Sequence, residues 1–286
     1  MIATATVDRS SSGVVTWMPD AHLVRAERMK LTRRWGLMIA SALLTIGAVV
    51  LAYIILVSLH ASDATRHPPA GGLNHFHNLA EVLTRIGAIA AILIGATAGA
   101  GDLGAGMFRN LVVTGRSRLA LFLARIPGGL IVLWPLVAIA YLIVAVGTVV
   151  FAGGNVAGLG GPDFGAPGVG LMITTGLWIE LGATLMFLLG LGLASVVGSR
   201  STSISILVAA DLIVTPILVN LSGFTWLRQL FPTVALQRLE PVALLHGGDF
   251  GRSVLTIAPG AAIAVIVVWG IVAIGVGAWR TMTRDA

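Results

Sequence analysis

No cysteine occurs in this chain of 286 residues, which excludes disulfides, iron–sulfur ligation and thiol nucleophiles while leaving the compartment open. Charge is scarce too: 10% of the residues are Asp, Glu, Lys or Arg, where a soluble domain carries about a quarter. Lysine is represented by Lys30 alone, a bias towards arginine that reflects a GC-rich genome more than a mechanism. No G-x-x-x-x-G-K-[ST] stretch occurs, so any use of ATP requires a separate polypeptide.

What fills the chain is apolar. Hydrophobic residues make up 57% and the mean hydropathy is +0.96, the composition of a bilayer protein. A net charge of +6 points to nucleic acid in a soluble protein. Here the positive charges flank apolar runs, so topology and anionic lipid headgroups account for them, and membrane lipids rather than nucleic acid are the expected partners.

Six segments reach the roughly 20 residues that a bilayer-crossing helix needs. They are Trp35–Leu59, Val82–Gly101, Leu119–Ala152, Gly168–Val197, Ser203–Leu221 and Leu255–Trp279. The first is too long for a signal-peptide core and lacks a cleavage site, so a retained helix is expected. Pro127 and Pro135 are candidate kinks in the third. With the N-terminus inside, thirteen of the 18 basic residues fall on the inner side, and Arg66, Arg85, Arg228, Arg238 and Arg252 on the outer. The expected fold is therefore all-α: a cytoplasmic tail with an amphipathic helix over 1–34, a six-span domain over 35–279 and a cytoplasmic tail over 280–286. The stretch 224–252 alternates apolar residues with charges, which predicts short amphipathic helices against the outer face. Outer loops are expected near His60–Glu81 and, rich in glycine, over Gly153–Gly168.

The segment Gly99–Arg125 is a polar, glycine-punctuated interruption that carries Arg109, Arg116, Arg118 and Arg125. Its Gly99-x-Gly101-x-x-Gly104 matches the dinucleotide fingerprint by letter only, because an apolar span precedes it where a strand is required. The spacing Asp102, Gly106, Arg109, Ser117-Arg118 and Arg125 resembles that of the integral membrane subunits of ABC-2 type transporters. The stretch Ala26-Glu27-Arg28-Met29-Lys30-Leu31 is similar to the amphipathic N-terminal helix of the same family. Gly115 and Met107 depart from its common proline and threonine.

The resemblance implies a permease without ATPase motifs or bond chemistry of its own, a multi-pass protein of the bacterial cytoplasmic membrane with both termini in the cytoplasm. It implies a coupling helix between spans 2 and 3 that docks on a cytoplasmic ABC ATPase through Asp102, Gly106, Arg109, Ser117 and Arg118, with Glu27 and Lys30 beside them. A second permease copy or a homologue completes such an exporter, and ATP and Mg belong to the ATPase, with no cofactor on this chain. The residues alone leave two other readings open: a non-transporting scaffold or immunity subunit that uses the same arginines, and an intramembrane enzyme.

Glu180 and Asp211 lie within the fourth and fifth spans, where a carboxylate costs about 2.5 kcal/mol or more unless paired, protonated or hydrated. They are candidates for a transport path, or for structural hydrogen bonds between helices; Arg85 is in position to reach towards Glu180. Gly87, Ala91, Gly95 and Gly99 form a small-residue ridge, for packing within one subunit or between two. His75-x-His77 lacks a complete ligand set, so no metal is expected.

Overall fold

The computed structural model describes residues 19–104, 117–152, 167–220, 228–241 and 257–283. Helices are the sole regular element among them, as a bilayer demands of a chain whose backbone must satisfy itself within each segment. An amphipathic helix α1, Ala21–Thr32, leads into α2, Trp35–Ser62. Then come α3, Gly72–Gly104, α4, Arg118–Val150, and α5, Val169–Val197. The span α6 is built from Arg200–Ala209, Ala210–Val214 and Thr215–Asn220; a short α7, Pro232–Arg238, and α8, Pro259–Thr283, complete the order. Six of these helices are long and apolar enough to cross a membrane, so the chain is a multi-pass membrane protein.

The spans match expectation with two shifts. Helix α3 begins at Gly72, inside the region expected as a loop, because Phe76, Leu79, Ala80 and Leu83 bury one face of its first turns while Glu81 stays exposed beside the half-buried His75 and His77. Helix α8 continues through Thr283. Pro127 and Pro135 sit inside one continuous α4, while the irregular turns are π-turns at Leu43–Gly47 in α2 and Ala210–Val214 in α6. The expected coupling helix between α3 and α4 lies outside the described residues, as do Gly106 and Arg109.

The centre of the bundle is the pair α3 and α5, the most buried of the spans. Small residues bring their backbones together. A methyl group at Gly99 would stand 2.5 Å from the main-chain oxygen of Leu191, and one at Gly190 would stand 2.9 Å from that of Ile92. One at Gly95 would collide with the main-chain oxygen of Phe187. The ridge thus serves packing within the subunit, except at Gly87, which meets nothing beyond its own helix. Hydroxyls buried in the spans bond back to carbonyls one turn earlier, as Thr97 does to Leu93 and Ser195 to Leu191.

Helix α7 corrects, for residues 228–241, the amphipathic surface helices expected over 224–252; the rest of that stretch lies outside the described residues. Five consecutive residues, Pro232 to Leu236, are buried. The indole N–H of Trp178 donates to the Leu236 carbonyl at 2.8 Å, and that of Trp269 to the Leu230 carbonyl at 2.7 Å. Trp178 is the tenth residue of α5, about 14 Å along its axis. The segment therefore enters the bundle from the end opposite α1 instead of lying across it. Protein donors at depth replace the water that its carbonyls would otherwise need.

Candidate functional site

One end of the bundle gathers α1, the last turns of α3, the start of α4 and the end of α8. Helix α1 lies against the start of α4, where Gly128 makes room: a methyl there would stand 2.8 Å from Cβ of Glu27. The buried stripe of α1 runs through Leu23, Val24, Glu27, Lys30 and Leu31, wholly or partly covered, while Arg25, Arg28 and Met29 are exposed. Glu27 and Lys30 join at 2.7 Å, one turn apart. Their place is thus inward, on the face that α1 turns to α4, and the outward charge of this helix is that of Arg25 and Arg28.

Ser117 caps α4, its hydroxyl accepting from the Ala120 amide at 3.1 Å, which explains why the helix restarts there. The Arg118 guanidinium donates to the Met282 carbonyl at 3.1 Å in the last turn of α8, so the start of α4 is tied to the end of α8. Arg125 is 1% exposed and donates to the Gly99 carbonyl at 3.1 Å. It joins α3 to α4 inside the protein and is not part of a surface patch, which corrects its grouping with the other arginines. A methyl at Gly101 would stand 3.1 Å from a terminal nitrogen of Arg34, so the last turns of α3 also lie at this end. Asp102 belongs to the final helical turn of α3; its side chain lies outside the described residues.

The two intramembrane carboxylates stand apart, with no hydrogen bond or ion pair joining them. Glu180 is half-buried, and its Oε2 is sealed from solvent with no hydrogen-bond partner. It shares a face of α5 with Ile173, Leu177, Leu181 and Thr184, the first three exposed at 58%, 66% and 41%. Thr184 accepts from the Trp134 indole N–H of α4 at 3.0 Å, leaving a polar strip at the edge of an apolar face. Asp211 lies in the π-turn of α6, where an inserted residue re-aims the helix. Arg85 of α3 acts electrostatically on Asp211 and donates to Glu81 at 3.3 Å, so the structure sets it against Asp211 rather than Glu180.

Sequence reasoning missed the buried hydroxyl pair of Thr215 and Thr233, 3.0 Å apart, which fastens α6 to α7 just past that π-turn. Thr215 also bonds to the Ala210 carbonyl at 2.9 Å, five residues back, the spacing a π-turn exposes. A threonine directly before Pro216 was the available signal. His77 and Glu240 approach to 3.9 Å where α3 begins and α7 ends. Among the described residues no group of three metal-ligating side chains occurs.

No family model matches the chain, and no curated protein matches it either. Functional argument therefore rests on the residues and their arrangement.

Proposed function

We propose that the chain is the membrane permease subunit of an ATP-binding cassette exporter, working with ATP hydrolysis by a separate cytoplasmic subunit. The observation that carries this reading is the assembly of α1, the last turns of α3, Ser117–Arg118 and the end of α8 at one arginine-bearing end of the bundle. Each is tied to another by a named bond or close approach, so a push on the segment between α3 and α4 reaches three spans at once. Guanidinium groups suit such a docking surface because their planar forks hold partner carboxylates in fixed geometry. In this reading Arg109 and the exposed Arg25 and Arg28 face the ATPase, while Glu27, Lys30 and Arg118 transmit its motion inward.

The unpartnered Glu180 beside an exposed apolar face supports a second copy or a homologue packed nearby, with Glu180 and Asp211 along a path between the two. Binding that differs between inward-open and outward-open states then gives net transport. The substrate class stays open, since an apolar path suits drugs, lipids and peptides alike.

The test is co-purification with an ATPase encoded beside the chain, followed by ATP hydrolysis in proteoliposomes. Reversing Arg109 and Arg118 to Glu is expected to break the complex or uncouple hydrolysis while leaving membrane insertion intact. Normal coupling in that double variant sinks the proposal, and a stable complex whose hydrolysis ignores every substrate favours a scaffold instead.

A further inference from the structure

Between the outer faces of α2 and α4, over their halves farthest from α1, lies an open groove of about 700 Å³. Its walls are Val50, Ile54 and Val57 on α2 and Leu142, Val146 and Val150 on α4. Its floor is the ring of Tyr53, seated on Gly147 and flanked by Phe151 at 5.8 Å between ring centres. Gly147 is what permits this floor, since a methyl there would stand 2.5 Å from Cζ of Tyr53. The Tyr53 hydroxyl donates to the Val144 carbonyl at 2.8 Å, so the groove offers an occupant almost nothing polar.

We propose that this groove holds one acyl chain of a bilayer phospholipid as a defined site. Length is the first argument. The lining runs about 12 Å along α2, from Val50 to Ser58, and about 18 Å along α4, from Ile139 to Phe151. One leaflet of a hydrocarbon core about 30 Å thick is about 15 Å. The groove is thus one leaflet deep and ends where a chain ends.

Charge at the mouth is the second argument. Beyond Ser58, α2 ends at Ser62 and turns through Asp63 to His67. The turn is held over the groove because Gly71 donates to the Phe151 carbonyl at 3.1 Å and the His60 ring bonds to the His67 carbonyl at 2.8 Å. Arg66 stands there with its side chain 84% exposed, paired with Asp63 at 3.5 Å. A guanidinium at headgroup level above an apolar slot complements a lipid phosphate. The proposal stands independently of the transport reading.

The experiment places the purified full-length chain in phosphatidylcholine vesicles doped with a phosphatidylglycerol that carries a diazirine midway along one acyl chain. After photolysis the adducts are mapped by peptide mass spectrometry. Adducts on residues 50–58 and 139–151 are expected at several times the yield on α8, whose Ile263, Val268 and Ile271 are just as exposed. Filling the groove by Leu142→Trp with Val146→Trp should abolish that excess and leave the α8 yield unchanged. Equal yields on all exposed faces of the unaltered chain overturn the proposal, whether or not the filled variant folds. So does efficient disulfide dimerisation of Ile54→Cys, a clean probe in a chain without cysteine, because a second copy then occupies the groove.

Discussion

The guanidinium of Arg125, on α4, donates to the main-chain oxygen of Gly99, on α3, and is closed off from solvent by the helices around it. An arginine that a charge count assigns to the membrane surface is a strut between two spans. Arg125→Met keeps much of the bulk and removes the bond. A hydrogen bond from a charged donor contributes about 1.5–3 kcal/mol, so a clear fall in Tm in detergent is expected. An unchanged Tm would show that the bond carries no stability.

Within the small-residue ridge, Gly95 and Gly87 should behave oppositely. Gly95→Val drives a branched side chain into the α5 backbone, and overpacking of this kind costs about 1–3 kcal/mol. Gly87→Ala meets only the Leu83 side chain at 3.8 Å and should be neutral. Thermal unfolding of both variants checks the contrast.

The hydroxyls of Thr215 and Thr233 should be coupled. Thr215→Val and Thr233→Val should each destabilise by about 1 kcal/mol, and the double variant by less than the sum. Strict additivity would show that the pair does not interact.

Glu180 should carry an opposite balance of stability and function. Its sealed, unpartnered oxygen is unfavourable in the resting fold. Glu180→Met is therefore expected to raise stability by about 1–3 kcal/mol and, under the proposed function, to lower transport in reconstituted vesicles. A destabilised variant would point to a partner for this oxygen.

Asp63 should titrate below the ordinary carboxylate range. The Thr65 hydroxyl, at 2.6 Å, is the main cause; desolvation opposes it, and the amides of Thr65 and Arg66 and the charge of His67 each lower the value by less. The folded-state value is depressed, so this contribution is present above the unfolded value of about 3.9 and is lost as pH falls through the folded one. Thr65→Ala should bring the midpoint back up, read from the carboxyl chemical shift.

Much of the architecture was legible because a bilayer imposes one coarse rule, the length of an apolar run. That rule located all six spans. It failed at the start of α3, where His75, His77 and Glu81 disguise helical turns whose other face, Phe76, Leu79 and Ala80, is covered by protein. Helix α7 was illegible for a different reason: its depth depends on the indoles of Trp178 and Trp269, remote in sequence, which meet its carbonyls. The candidate site was half legible. The family resemblance grouped Glu27, Lys30, Ser117 and Arg118, and the structure places them towards one end of the bundle. That Glu27 and Lys30 turn inward follows from Gly128, which no pattern within α1 contains. The π-turn at Asp211 leaves no compositional trace beyond Thr215 and Pro216.

The backbone-to-backbone seam between α3 and α5 has a mechanical consequence. Where Gly95, Gly99 and Gly190 bring the two backbones together, no side chain stands between them to change rotamer, so the pair is expected to move as one body. Compliance falls to α2 and α6, each broken by one π-turn and each loosely embraced by its neighbours. A change of shape in this molecule would then be expected as a swing of those two helices about a fixed post.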